Sequence, residues 1–141
     1  MTIEITADLS RVTPEQVEAV YESVGFGWSY KPLPLERLFG PGVFGFFALD
    51  RQDGRLVGLL RALSDDLSVT WIAEVCVLPS HQRQGIGARL MQALNERFPA
   101  HAIYAEPFTH NVDFITKQGL KARPILVACS RGPLKAATAA A

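Results

Sequence analysis

The sequence predicts a mixed α/β domain, and three features carry that prediction. Two strand-like runs, 43–49 and 56–63, are joined by Asp50-Arg51-Gln52-Asp53-Gly54, whose Asp-Gly pair marks an antiparallel hairpin. A Val/Ile/Trp-rich run at 69–78 leads through a Gly-punctuated loop into an amphipathic helix over 86–98 and then a short apolar run at 102–105. That order makes the two runs parallel neighbours joined by a right-handed crossover. Two helix patterns precede the hairpin and supply flanking layers.

At the start of the chain, Ile3 and Ile5 alternate with Glu4 and Thr6, the pattern of a short strand. Thr13, Pro14 and Gln16 have the spacing of a capping box with proline at the first helical position, so a helix is expected over 13–24. Val17, Val20, Tyr21 and Val24 form its apolar stripe, and Gly25 ends it. An aromatic loop, 26–30, leads to a shorter helix over 35–39 that stops at Gly40. In the 86–98 helix, Ile86, Leu90, Met91, Leu94 and Phe98 share one face, and Pro99 stops it. Beyond lie a buried strand at 102–105, a helix at 111–118 closed by Gly119, and a further strand at 125–129. Residues 1–133 are expected to form one domain, and 134–141, with nothing large to bury, a disordered tail.

A chain of 141 residues suits a single domain and buries enough surface for a core without disulfides. Fourteen basic side chains balance fourteen acidic ones, which argues against a general nucleic-acid or anionic-membrane binder. The longest apolar run, 43–49, is far below the ~18 residues of a membrane span. The first residues lack the basic and apolar regions of a secretory signal. Two cysteines without CxxC spacing fit a reduced, cytoplasmic protein, and three scattered histidines offer no metal-ligand spacing, so no metal is expected.

Chemistry concentrates in Gln82-Arg83-Gln84-Gly85-Ile86-Gly87-Ala88, between a buried strand and a helix start. Gly85 and Gly87 bare the backbone there, so successive N–H groups and the positive helix end can form a concave anion site, with Arg83 adding a full charge. Several charge-assisted bonds of ~1.5–3 kcal/mol each are enough to hold a diphosphate. The plainer alternative is that the glycines only permit a tight turn. No G-x-x-x-x-G-K-[ST] occurs, and the G-x-G-x-x-G at 40–45 precedes a strand instead of opening a helix, the wrong context for a dinucleotide site.

The stretch 75–91, with its strand, Pro79 and Gln82-Arg83-Gln84-Gly85-Ile86-Gly87, resembles the acetyl-CoA-binding motif of the GNAT superfamily of N-acetyltransferases, [QR]-x-x-G-x-[GA]. Phe114-Ile115-Thr116-Lys117-Gln118-Gly119-Leu120 resembles the later F-Y-x-K-x-G-F segment, and 55–61 the middle hairpin, so the likeness spans about residues 3–130. It implies a central mixed, mostly antiparallel sheet with splayed parallel strands and flanking helices. It also implies direct acetyl transfer from acetyl-CoA to a primary amine.

By this resemblance the pyrophosphate of the co-substrate sits on the amides of Arg83, Gln84, Gly85, Ile86, Gly87 and Ala88, with Gln82 a further cofactor-binding residue. The pantetheine arm pairs with the strand at Val75, Cys76 and Val77, while Asn111, Phe114 and Lys117 line the far end. Transfer needs a proton acceptor for the amine and an N–H donor for the oxyanion, the backbone of Cys76 or Val77. Glu74, the lone acid in an apolar run, is the candidate acceptor; the competing reading is an outward-facing sheet residue paired with a neighbouring Lys or Arg. Ile115 occupies the position of the family's acidic tyrosine, which leaves Tyr104, His110 or an unassisted thiolate. Phe26, Trp28 and Tyr30 fall where the resemblance puts a wall of the acceptor pocket, or else they plug the core. The acceptor is expected to be a small-molecule amine, with a protein lysine or N-terminus, or a catalytically weak CoA-binding module, as alternatives. No nucleic-acid or membrane partner is expected, and the resemblance admits a homodimer.

Overall fold

In the computed structural model of the protein, residues 2–26 and 34–132 are described. They fall into two compact units, Met1–Ala105 and Glu106–Ala141.

The first unit is built on a five-stranded sheet in sequence order: β1 (Ile3–Thr6), β2 (Val43–Asp50), β3 (Leu56–Ser64), β4 (Val69–Val77) and β5 (Ala102–Tyr104). β1 to β4 pair antiparallel, and β4 with β5 is parallel. Helix α1 (Pro14–Ser23) starts at the expected capping box, with the Thr13 hydroxyl accepting from the Gln16 N–H and the Gln16 side chain accepting from the Thr13 N–H. α1 and the one-turn α2 (Leu35–Leu38) cover one sheet face. Val17, Val20 and Tyr21 meet Leu35, Leu38, Phe47, Leu59 and Cys76 in a core there. The longer α3 (Ile86–Arg97) contributes Ile86, Leu90, Met91 and Leu94 to the rest of the core, and these are also fully buried. No helix among the described residues is long and apolar enough to cross a membrane.

Strand β4 departs from regular pairing in two ways. Arg61 pairs with Glu74, but the next residue, Ala62, pairs with Ile72, so Ala73 is an extra residue in β4. A bulge of this kind breaks the two-residue alternation of faces. Secondly, β5 pairs with β4 only at Val69, Thr70 and Trp71, and no described strand lies beside Ile72–Val77 on that side.

The second unit holds α4 (Val112–Lys117) after a 3-10 turn, closed at Gly119, whose φ of +96° is the left-handed geometry of a helix stop. Two expectations are corrected. β5 is short and half-exposed, with Tyr104 55% accessible, because it is the last strand in the sheet order and has a strand partner on one side only. Residues 125–129 form no strand. A turn closed by the Leu126 N–H on the Arg123 carbonyl bends the chain there, no strand pairs with it, and Ile125, Leu126 and Val127 are exposed. The tail 134–141 lies outside the described residues.

Candidate active site

The loop between β4 and α3 is shaped by its backbone. Arg83 has φ +62° and Gly85 φ +81°, both left-handed, a geometry that costs a non-glycine residue about 1–2 kcal/mol. Gly85 caps α3 with no side-chain hydrogen bond, and a Cβ placed on it would meet nothing within 4 Å. Among the hydrogen bonds of the described residues, none is donated by the backbone N–H groups of 83–88; the first donor in the helix is Arg89, to Gly85. A helix start with a run of unpartnered N–H groups, opening to free space, is an anion-binding concavity. Arg83 is exposed beside it. The Gln82 side chain instead donates to the Val77 carbonyl at 3.0 Å, tying the loop to the end of β4.

The register fixes which strand groups are on offer. The Leu78 N–H donates to the Val57 carbonyl at 2.8 Å. In an antiparallel ladder the bonded residues alternate, so Cys76 turns its N–H and C=O toward β3, while Val75 and Val77 turn theirs to the side that β5 leaves uncovered. The Cys76 amide is therefore engaged in the sheet, and of the two oxyanion donors expected, Val77 has the free orientation. Cys76 itself is buried, and desolvation, with the nearby Glu74 charge, pushes its thiol up to about 12.

Glu74 sits inside the unit. Its Oε1 accepts from the Tyr21 hydroxyl at 2.7 Å and from Arg61 Nε at 2.9 Å, and its Oε2 accepts from Arg61 Nη2 at 3.1 Å. The Arg61 and Glu74 side chains are 15% and 3% exposed. Burial first, then the Glu74 charge and hydrogen bond, hold the Tyr21 hydroxyl far above the ordinary tyrosine range, so it stays a donor. Three of the roughly four acceptor positions of a carboxylate are thus filled by the protein. Glu74 thus has the basic partner of the competing reading, but it is buried and not outward-facing as that reading had it, and a proton acceptor needs an open lone pair facing the amine.

The remaining expected site residues are more scattered. Tyr104 ends β5 opposite Trp71, three residues short of Glu74 along β4, and is not brought to the carboxylate. Phe26 is half-buried against the core under α1. Trp28 and Tyr30 lie outside the described residues. Asn111 is exposed at the start of α4 and Phe114 is partly buried within it, both in the second unit, where the exposed His110 stacks on Phe108. Sequence reasoning passed over Tyr21 and Arg61. The signal for Arg61 was available: it is the lone cation in an apolar strand whose neighbour carries a lone acid.

Comparison with known proteins agrees with this geometry. A model of the acetyltransferase (GNAT) family matches residues 10–120. No curated protein matches the chain. Among solved structures, a GNAT-family acetyltransferase from Streptococcus pneumoniae is 28% identical with a TM-score of 0.71, covering 95% of this chain and 97% of its own. An aminoglycoside acetyltransferase from an uncultured soil metagenomic sample is 19% identical with a TM-score of 0.71, covering 96% and 100%. Glucosamine-6-phosphate N-acetyltransferase from Arabidopsis thaliana is 12% identical with a TM-score of 0.64, covering 92% and 99%. The last two share the fold. With the family match running from the turn before α1 to the end of α4, the chain belongs to the GNAT family of N-acetyltransferases, whose co-substrate is acetyl-CoA.

Proposed function

We propose that this chain transfers the acetyl group of acetyl-CoA directly to a primary amine of a small molecule, within a ternary complex. The observation that carries the reading is the run of unpartnered N–H groups at 83–88 beside an uncovered strand edge. The fit to coenzyme A is chemical. Several amides and Arg83 suit a diphosphate, and a helix terminus adds ~0.3–2 kcal/mol. The edge N–H and C=O of Val75 suit an amide-bearing arm that adds to the sheet like a strand. Acetyl-CoA supplies an acetyl thioester, whose carbonyl carbon the amine attacks to form an amide and release a thiol.

Of the chain's own groups, the Val77 N–H is oriented to donate to a developing oxyanion. Glu74, clamped by Arg61 and Tyr21, serves as a fixed charge that holds the bulged strand in register. On this reading the amine sheds its proton to water before attack. The names of the two relatives sharing only the fold, an aminoglycoside and a glucosamine-6-phosphate acetyltransferase, support a small acceptor.

The test is amine-dependent thiol release from acetyl-CoA, paired with thermal shift. Acetyl-CoA at a hundred times its Kd adds about 2.7 kcal/mol of stability, an effect that AMP at the same concentration will not match. Thiol release with small amines and not with lysine peptides is expected; release with peptides alone would overturn the acceptor class.

A further inference from the structure

The face of the sheet that carries α1 and α2 does not end at Arg61 and Glu74. One register step further, Leu63 of β3 pairs with Trp71 of β4, and Trp71 pairs with Tyr104 of β5. Paired residues share a face, so the three side chains stand in a row across three strands. Leu63 follows Arg61 by two residues and shares its face, and the extra Ala73 puts Trp71 on that face too, although it is three residues from Glu74. Val69, two before Trp71, is the fourth member. Unlike Leu59 and Cys76 on the same face, these residues are uncovered: Leu63 40%, Val69 42%, Trp71 38% and Tyr104 55% exposed. Exposed apolar groups gathered into one patch mark a place where something docks.

We propose that this row is the seat for the body of the acceptor, and that the acceptor is a primary amine with a single cation and an apolar or aromatic group. The proposal rests on the amine-acetylation reading above. Position and charge both argue for this occupant. The row lies at the fork where β5 parts from β4, on the face of Glu74. Trp71 precedes Val75 by four residues, one of them bulged, about 10 Å of strand. An amine placed at the uncovered edge of β4 can therefore lay a body of that reach on the row. The nearby anions are already engaged. Glu74 is paired with Arg61, Asp66 with Arg97 at 3.0 Å, and Asp65 accepts from the N–H groups of Leu67, Ser68 and Val69. Among the described residues of β3, β4, β5 and the β3–β4 turn, no acid is left without a partner to hold the further ammonium groups of a polycationic sugar, whereas two aromatic rings and two aliphatic side chains suit an alkyl or aryl body.

The experiment is thiol release from acetyl-CoA with n-alkylamines from ethyl to octyl, 4-phenylbutylamine and kanamycin, on the wild type, Trp71→Ala, Trp71→Phe and Leu63→Gln. Acetyl-CoA thermal shift is run on each variant to establish that it is folded and loaded. In the wild type, kcat/KM is expected to rise two- to fourfold per methylene once the chain reaches the row, fourfold being full burial of each one, with 4-phenylbutylamine well above kanamycin. Trp71→Ala and Leu63→Gln flatten that rise by at least half through KM, and Trp71→Phe keeps most of it. A wild-type response independent of chain length, or an unaltered slope in Trp71→Ala and Leu63→Gln, overturns this inference while leaving amine acetylation standing. No thiol release with any amine overturns both. Light scattering covers the rival occupant: a stable dimer that Trp71→Ala dissociates would make the row a subunit interface and overturn the proposal.

Discussion

Replacing Arg61 with methionine removes the cation from a pair in which Glu74 keeps only 3% of its side chain in contact with solvent. Methionine fills much of the arginine stem's volume, so the main change is electrostatic. The Glu74 carboxylate keeps the Tyr21 hydroxyl as donor but loses two charge-assisted bonds, at 2.9 and 3.1 Å. Breaking a buried ion pair from one side costs about 3–5 kcal/mol, because a buried charge is left without its partner. Against a typical total of about 5–15 kcal/mol this is a severe loss. For 141 residues the unfolding entropy near the midpoint is about 0.3 kcal/mol/K, so Tm should fall by about 10–17 °C. Arg61→Met/Glu74→Gln tests the reasoning, since Gln still accepts from Tyr21 but carries no charge to strand. The double variant should recover to within about 2 kcal/mol of wild type, giving a coupling energy above about 2 kcal/mol in urea melts. An Arg61→Met loss below about 1 kcal/mol, or additive single losses, would show that water screens the pair and that Glu74 does not depend on it.

Four further outcomes are expected. Gly85→Ala should lose about 1–2 kcal/mol of stability from its φ of +81° alone, since its Cβ meets no neighbour, and should shrink the acetyl-CoA thermal shift; an undiminished shift removes the loop as the diphosphate site. Cys129 is exposed and should alkylate readily at pH 8, while Cys76, buried with its thiol pushed up to about 12, should resist until the protein unfolds. That raised value also predicts that the thiol's contribution to stability is intact below pH ~8.5 and declines as pH rises toward 12, a slope Cys76→Ala should reduce. Asp65 is held well below the ordinary carboxylate range by N–H donors from Ser68, Val69 and Leu67, so its contribution is present above pH ~4 and lost as pH falls. Asp65→Asn should weaken the dependence of stability on pH in acid, and an unchanged acid profile would contradict this assignment.

The elements whose reasons are local were legible. The capping box at Thr13 and Gln16, the Asp53-Gly54 turn and the apolar face of α3 each reside in a few consecutive residues, and their boundaries fall within one or two positions of those expected. Gly85 was legible for the same reason, because a glycine between a strand and a helix signals exposed backbone. The strand expected at 125–129 was not, since an apolar run becomes a strand only where a ladder partner exists, and composition says nothing about partners. The environment of Glu74 was half legible. An acid in an apolar run had to find a donor, but its two donors lie thirteen and fifty-three residues away, on β3 and α1.

The bulge in β4 explains why the acceptor side in particular stayed hidden. Strict alternation would put Trp71, Ala73, Val75 and Val77 on one face and Thr70, Ile72, Glu74 and Cys76 on the other. On that count Trp71 and Glu74 never meet the same ligand. One extra residue at Ala73 reverses the parity, and the ladder then aligns Leu63–Trp71, Arg61–Glu74 and Leu59–Cys76 as successive rows on one face. The first row is open to solvent and the other two are buried, so the change from docking surface to core occurs across a single register step. The Arg61–Glu74 pair stands at that boundary, beside the bulged residue, where a shift of one position would turn every later side chain of β4 to the opposite face. A neutral pair could bury comparable area there. Arg61 and Glu74 in addition penalise any other alignment by leaving both charges unpartnered, so the bulge, the orientation of the Val75 and Val77 edge groups and the exposed row are held by one interaction.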